Sequence, residues 1–206
     1  MGGACVWRVR AFYEKAPSMI DNFDNGGDDN VLGGPVPDPQ VPVAPQGFSL
    51  RPATEDDLDR IEAIERQVHV APWSLEHFRS ELIKPFSHFW VMTDDETDEV
   101  VAGYLVFWIM GEQAEILNVV TAPAYRGQGF AKYLVRKAAG VALKNGALRM
   151  VLDVRKSNQA AIGLYQAIGF AITQVRKAFY SSNGEDAYGM TLALDERFDA
   201  AAGVDI

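Results

Sequence analysis

Hydrophobic and polar positions follow regular patterns from residue 48 onward, and these patterns predict strands and helices. Residues 48–51 alternate as a short strand, and Thr54 with Asp57 three positions later resembles a capping box that starts a helix. Apolar side chains then recur at helical spacing up to about His69, and Ser74 begins a second predicted helix. The folded part of the chain is therefore expected to open with one strand and two helices.

The rest of the chain predicts a further alternation of strands and helices. In chain order we predict strands over 88–93, 100–110 and 115–121, a helix over 129–145, a strand over 150–154, a helix over 158–168, and strands over 170–180 and 188–194. The first two of these strands flank a polar segment that is typical of a hairpin loop. This order indicates an α+β sheet with helices on both faces.

The first 47 residues differ in composition from the remainder. Residues 21–47 are rich in Asp, Asn, Gly and Pro and cannot bury enough apolar surface to offset chain entropy. Residues 6–10 alternate in polarity, which fits either a loose tail or an added edge strand. We therefore predict a flexible extension over 1–47, a folded domain over 48–196 and a C-terminal tail over 197–206.

Charge and cysteine content restrict the partners and the compartment. The 206-residue chain has a formal net charge of −9, which argues against binding nucleic acid by phosphate neutralisation and favours cationic partners. Its single cysteine, Cys5, excludes an intrachain disulfide and suits a reducing compartment. The apolar stretch 4–13 contains two arginines and is too short and too charged to span a membrane. We predict a cytoplasmic protein that binds neither nucleic acid nor membrane; its oligomeric state stays open.

Residues 119–132 combine a strand, a glycine-bearing turn and the start of a helix. The small residues Gly127, Gly129 and Ala131 let backbone N–H groups approach an anion, and the helix N-terminus adds a favourable partial charge. A dinucleotide fingerprint would have a third glycine where Lys132 stands, and no Gly-Lys-Ser/Thr motif follows. The segment therefore predicts a diphosphate-binding turn of another kind, or a tight turn without a ligand.

Two motifs resemble those of the GNAT acetyltransferase superfamily. Arg126-x-x-Gly129-x-Ala131 is similar to the acetyl-CoA diphosphate motif, and residues 153–170 resemble the family's Asn-x-x-Ala-x-x-Leu-Tyr-x-x-x-Gly-Phe stretch. The resemblance implies a GNAT fold, with a mixed, mostly antiparallel central sheet of about six to seven strands. It also implies acetyl-CoA as co-substrate. The three histidines show no metal-ligand spacing, so we expect no metal.

Three shorter patches resemble the RimI-like branch of that superfamily, whose members acetylate the N-terminal alanine of a small-subunit ribosomal protein. They are Pro72-Trp73-Ser74, residues 153–158, and Tyr180 followed by Gly184-Glu185-Asp186-Ala187. The resemblance covers about residues 48–194 and implies acetylation of a protein N-terminus, with a ribosomal protein as partner. A GNAT enzyme acting on lysine or a small amine, and a non-catalytic acyl-CoA sensor, are the alternatives.

The resemblance also implies roles for individual residues. The backbone of Val119, Val120 and Thr121 would pair with the pantetheine arm. The diphosphate would be held by the turn and first helical residues, namely Arg126, Gly127, Gln128, Gly129, Phe130, Ala131 and Lys132. Asn158 would bind the cofactor near its arm, although it also suits a helix N-cap. Trp73, Phe179 and Tyr180 would shape the acceptor slot, although Trp73 also fits a hydrophobic staple ahead of Ser74.

Two residues are implied as catalytic. Tyr165 would donate a proton to the departing thiolate, unless it is only a core residue at helical spacing. Asp153 stands where the branch has a glutamate base, so it would act directly, act through water or be structural. Deprotonating an α-amine at neutral pH costs about 1 kcal/mol, against roughly 4 to 5 kcal/mol for lysine. The shorter Asp153 is thus better suited to an N-terminal acceptor, which attacks the thioester without an acyl-enzyme.

Overall fold

The computed structural model describes residues 43–198. The predictions for residues 1–42, including the alternation at 6–10 and the single Cys5, lie outside the described residues, as does most of the predicted tail. Phe198 is 2% exposed and packs against the main core, so the described fold continues past the predicted boundary at residue 196.

The described residues form a seven-stranded mixed sheet with four helices, which confirms the predicted α+β class. The strands are β1 (Phe48–Pro52), β2 (Ser87–Asp94), β3 (Val101–Met110), β4 (Gln113–Thr121), β5 (Arg149–Arg155), β6 (Ala171–Tyr180) and β7 (Glu185–Ala193). The helices are α1 (Leu58–Val68), α2 (Leu75–Leu82), α3 (Phe130–Lys144) and α4 (Gln159–Ile168). The strand order is β1-β2-β3-β4-β5-β7-β6, and only β4 and β5 run parallel.

The helix ends follow the capping residues of the sequence. Before α1, the Thr54 backbone N–H donates to Asp57 at 2.8 Å. The hydroxyl of Ser74 caps α2, and the rings of Trp73 and Phe78 pack with centroids 5.4 Å apart, as in a hydrophobic staple. Gly169 ends α4 in the left-handed conformation, with φ of 115°. The predicted capping box and staple are confirmed.

The helices cover the two faces of the sheet and bury two apolar clusters. Residues of α3 and α4 pack on one face, around Leu134, Ala138 and Ile168. Residues of α1 and α2 pack on the other face, around Ile61 and Phe78. Because both faces are covered at the central strands, side chains on the β4–β5 boundary are fixed in direction.

The boundary between β4 and β5 is short. The two strands pair only from Gln113 opposite Arg149 to Ile116 opposite Leu152, and β4 then continues alone on that side. Leu117 is an extra residue in the β3–β4 ladder, since Ile116 and Asn118 pair with successive residues of β3. Such a bulge bends a strand and increases its twist, so β4 diverges from β5 beyond this point.

Candidate active site

The divergence of β4 from β5 opens a cleft in the middle of the sheet. Beyond Ile116, the β5-facing edge of β4 has no strand partner among the described residues. Val119, Val120 and Thr121 lie on this free edge, with Val120 buried in the α1–α2 cluster and Val119 packed against the α3–α4 cluster. Their backbone N–H and C=O groups can therefore pair with an extended ligand.

The turn after β4 carries the predicted anion-binding glycines. Gly127 and Gly129 have φ of 76° and 89°, a conformation that other residues rarely adopt, and open space lies where a Cβ would stand. Gly129 is the N-cap of α3 and no side chain caps that end, so the first N–H groups of the helix point outward unsatisfied. The exposed side chains of Arg126, Gln128 and Lys132 flank them. This turn suits a phosphate group.

Two further residues of the predicted diphosphate segment face differently. Phe130 is 1% exposed, and its ring packs against Phe48 and Tyr125 at 5.0 and 5.6 Å. Its side chain therefore belongs to the core, and only its backbone faces the turn. Ala131 is partly buried in the first turn of α3.

Asn158 and Tyr165 lie at the two ends of α4. The Asn158 side chain accepts a hydrogen bond from the Ala161 N–H at 3.1 Å, which confirms its N-cap role. Tyr165 is 7% exposed and packs on Phe170. Within residues 43–198 its hydroxyl has no hydrogen-bond partner. Burial, and then the nearby phenol of Tyr180, raise the pKa of Tyr165, so it stays a protonated donor at neutral pH.

Asp153 lies on β5 with its side chain 18% exposed. Its backbone partner on β7 is Gly189, and Arg176 of β6 places its Nε 3.0 Å from the Asp153 Oδ1. Burial raises the pKa of Asp153, and the positive charge of Arg176 partly opposes that rise. A carboxylate with a raised pKa beside a cleft is a suitable proton acceptor.

Glu115 is a second carboxylate on this face, and it was not among the residues predicted from the sequence. It pairs with Val151 on β5, two residues before Asp153, so the two acidic side chains share one face of the sheet. Burial and then the charge of Asp153 raise the pKa of Glu115, while Arg176 lowers it. The sequence signal for Glu115 was a charged residue within an otherwise uncharged strand.

The segment Gly184-Glu185-Asp186-Ala187 fastens the end of β5 beside the predicted acceptor slot. Glu185 accepts hydrogen bonds from the Ser157 N–H and the Arg155 guanidinium, both at 2.9 Å. Hydrogen bonds from Ser157 and then Arg155 lower the pKa of Glu185 to about 2, so it is ionised at neutral pH. The Arg155 guanidinium in turn lies 3.8 Å from the ring centre of Tyr180, which fixes that side chain by a cation–π contact.

The neighbouring Asp186 holds a kink in β6. It binds Lys156 and Lys177 at 3.0 and 2.9 Å, and accepts the Ala178 N–H at 3.0 Å. Ala178 has φ of 49°, a left-handed conformation that costs an alanine about 1 kcal/mol or more. This kink directly precedes Phe179 and Tyr180, whose rings meet edge to face at 5.2 Å. The sequence placed β7 from residue 188, but the strand begins at Glu185 and includes this motif.

Glu65 is a buried acidic residue of α1, next to the buried apolar residue Ile64. It is 1% exposed and accepts a hydrogen bond from the hydroxyl of Tyr104. The Asn118 amide donates to it at 3.3 Å, and the backbone N–H of Trp73 donates at 3.0 Å. Glu65 therefore ties the loop that carries Trp73 to β4 at its bulge.

Comparison with known proteins agrees with this geometry. The sequence model of the acetyltransferase (GNAT) family matches residues 57–170, which is more than half of the chain. The chain belongs to the GNAT acetyltransferase family. It is 37% identical over 142 residues to a Bacillus subtilis protein described as a putative ribosomal protein bS18-alanine N-acetyltransferase, covering 68% of this chain and 92% of that protein. The chain is accordingly an acyltransferase of the RimI-like type.

Solved structures show the same fold. The crystal structure of the ribosomal-protein-S18-alanine N-acetyltransferase from Escherichia coli superposes with a TM-score of 0.65 at 27% identity, covering 72% of this GNAT chain and 94% of that one. NAA60 from Arabidopsis thaliana in complex with acetyl-CoA gives a TM-score of 0.66 at 21% identity, covering 71% and 98%. At that identity the second likeness supports the fold alone.

Two features of residues 43–198 concern metal binding and membrane spanning. No group of three or more His, Cys, Asp or Glu side chains in this range could hold a metal ion. No described helix has both the length and the apolar character needed to cross a bilayer. The expectations about metal and compartment remain predictions.

Proposed function

We propose that this GNAT enzyme transfers the acetyl group of acetyl-CoA to the N-terminal α-amine of a protein, an alanine at the start of ribosomal protein bS18. The observation that carries the proposal is the 37% identity that extends over 92% of the Bacillus subtilis protein of that description. The acetyltransferase described from Escherichia coli as acting on the same ribosomal alanine also shares the fold. The site residues below support the same reaction.

The cleft and the glycine turn fit acetyl-CoA. The free edge of β4 at Val119, Val120 and Thr121 would pair with the amide groups of pantetheine. The open turn at Gly127 and Gly129 would accept the diphosphate on backbone N–H groups, with Arg126 and Lys132 supplying positive charge. The side-chain amide nitrogen of Asn158 would donate to the pantetheine arm, while its side-chain oxygen caps α4. When bound, the thioester supplies an activated acetyl group.

Asp153 is the residue best suited to take the acceptor proton. Its pKa is raised above that of a free aspartate, yet an α-ammonium needs only about 1 kcal/mol to lose its proton at neutral pH. A weak base therefore suffices for an N-terminal amine, whereas lysine would cost roughly 4 to 5 kcal/mol. The neutral amine then attacks the thioester carbonyl, whose oxygen can accept hydrogen bonds from free N–H groups of β4.

Tyr165 would stabilise the leaving sulfur. Its hydroxyl makes no bond within the described part of the chain, and its raised pKa keeps it protonated. A thiol near pKa 8.5 is a stronger acid than this phenol, so the main contribution of Tyr165 is a hydrogen bond that strengthens as charge develops on sulfur.

Three aromatic residues would border the acceptor peptide. Trp73 is held by Glu65 through its backbone, and Tyr180 is held by Arg155 through its ring. Phe179 contacts Tyr180 and lies beside Arg176, whose guanidinium is 5.4 Å from its ring centre. Fixed rings at the mouth of a cleft can select the first side chains of an extended peptide.

Thiol release from acetyl-CoA with two peptides tests the proposal. One peptide begins with alanine and has a free α-amine; the other has a blocked N-terminus and an internal lysine. We expect release only with the first. Release only with the second would assign the enzyme to lysine acetylation, and binding of acetyl-CoA without release would favour a sensor.

A further inference from the structure

The ion pair between Arg176 and Asp153 has an unusual geometry. The Arg176 Nε and the Asp153 Oδ1 are 3.0 Å apart and both atoms are buried, yet the N–H is not directed at the oxygen and neither atom has a hydrogen bond. Buried polar atoms without a hydrogen bond are uncommon and often mark functional groups. The contact fixes Oδ1 by charge, without using it as a hydrogen-bond acceptor.

Gly189 provides the space in which Oδ1 lies. A Cβ on this glycine would stand 3.2 Å from the Gln174 Cβ, which is tighter than most such contacts, and in contact with the Asp153 Oδ1 at 3.4 Å. A larger residue at 189 would therefore press on β6 beside the carboxylate. The second oxygen, Oδ2, makes no hydrogen bond to any of residues 43–198. Asp153 therefore has one oxygen, Oδ1, held in place and the other, Oδ2, available to a ligand.

The charged and titratable groups that face Asp153 come from two other strands. Glu115 approaches from β4, Arg176 from β6, and Tyr180 from the end of β6, where the charge of Asp153 helps to raise the tyrosine pKa. Arg176 also lowers the pKa of Glu115, so one cation serves both acids. Without it, two buried carboxyl groups would compete for ionisation on one face.

We propose that Arg176 is a positioning residue for the reaction: with Gly189, it seats the Asp153 Oδ1 and leaves Oδ2 directed at the acceptor amine. This inference rests on the proposed role of Asp153 as proton acceptor. Aspartate is one methylene shorter than the glutamate of the resembled branch. Its carboxylate can therefore adjust less to the position of the acceptor and depends more on the residues that hold it. Arg176 also keeps that carboxylate ionised in a partly buried site.

The test compares R176M, R176K and the control R149M by the pH dependence of kcat/KM for the alanine peptide. Arg149 begins β5, is exposed and binds Gln113, so R149M removes a surface arginine from the same strand as Asp153. The acceptor amine titrates alike with every variant, so the ratio of variant to wild-type kcat/KM reports the enzyme. Thermal melting and the KM for acetyl-CoA show whether each variant is folded.

Arg176 as a positioning residue predicts a ratio that depends on pH. For R176M the ratio should fall as the pH is lowered from about 8.5, approaching about tenfold for each unit by which loss of the arginine charge raises the pKa of Asp153. R176K should restore most of the loss at low pH, and R149M should give a ratio near one throughout. A ratio for R176M that is constant across pH, whether near one or uniformly low, would overturn the inference.

The variant D153N separates this inference from the proposed function. If D153N lowers kcat by at least about a hundredfold while R176M shows a constant ratio, only the positioning role of Arg176 fails. If D153N retains wild-type kcat, Asp153 is not the proton acceptor and both proposals about the base are overturned. Loss of activity in D153N together with a pH-dependent R176M ratio supports both.

Discussion

Glu65 on α1 accepts a hydrogen bond from the backbone N–H of Trp73, eight residues further along the chain, at 3.0 Å. The same carboxylate holds Asn118, which immediately follows the bulge of β4. One buried side chain therefore connects the loop at the predicted acceptor slot with the strand at the predicted pantetheine site. A substitution at Glu65 should therefore alter the structure on both sides of the cleft.

Replacing Glu65 by alanine is expected to lower the free energy of unfolding by about 3 kcal/mol or more. The substitution leaves the Tyr104 hydroxyl, the Asn118 amide and the Trp73 N–H without their acceptor, and each buried unsatisfied group costs about 1–3 kcal/mol. Urea denaturation measures the change. The matched control is E62A on the same helix, which removes only an ion pair with the exposed Arg66 and should cost no more than about 0.5 kcal/mol. Equal effects of the two substitutions would show that Glu65 does not stabilise the fold through these three hydrogen bonds.

The Y165F variant is expected to lose about a hundredfold or more in kcat while binding acetyl-CoA normally. Only the hydroxyl is removed, and the ring that packs on Phe170 remains. Stopped-flow turnover and calorimetric titration of acetyl-CoA measure the two quantities. Tyr188, on β7 beside Lys156, provides the control Y188F, which should change kcat little. Wild-type turnover in Y165F would show that Tyr165 is only a core residue.

The G129A variant is expected to weaken acetyl-CoA binding beyond its effect on stability. Gly129 has φ of 89°, so alanine there is strained by about 1–2 kcal/mol, and its new methyl group enters the space proposed for the diphosphate. Gly111, in the β3–β4 turn, has φ of 58° and equally open surroundings. G111A should therefore lower the melting temperature similarly and leave the dissociation constant of acetyl-CoA unchanged. A similar affinity in both variants would show that the diphosphate does not bind at this turn.

The activity is expected to fall as the pH becomes acidic. Ionisation of Tyr165 should cause no loss of activity below about pH 10. Burial disfavours the ionised form of Asp153, so its pKa lies above the ordinary value near 3.9, and the active carboxylate is lost as pH falls through that raised pKa. Burial likewise keeps the Tyr165 phenol protonated beyond its ordinary pKa near 10. The measurement is kcat against pH, with thermal melting at each pH. A basic limb below about pH 9 that disappears in Y165F would contradict this assignment.

The local features of the fold were predictable because each depends on a few neighbouring residues. The Thr54–Asp57 box, the Ser74 cap and the Gly169 stop all act within four positions of the chain, and the structure has them where the sequence predicted. The left-handed glycines at 127 and 129 follow from the same kind of short-range signal.

Other features depend on contacts between distant segments, which periodicity does not report. Arg176 reaches Asp153 only because β7 inserts between β5 and β6, whereas the sequence predicted simply a final antiparallel pair. Glu65 repeats at helical spacing like its apolar neighbours, but its partners Tyr104 and Asn118 lie 39 and 53 positions away. The roles assigned to the motif residues from family resemblance remain predictions that the variants above test.

The most direct measurement of acceptor choice uses one peptide that offers both a free N-terminal alanine and an internal lysine. The purified enzyme acetylates it with acetyl-CoA, and fragmentation by mass spectrometry locates the acetyl group. We expect a single acetyl group on the α-amine of the alanine and none on the lysine. An acetyl group on the lysine, or an unmodified peptide in the presence of bound acetyl-CoA, would contradict acetylation of the N-terminal α-amine.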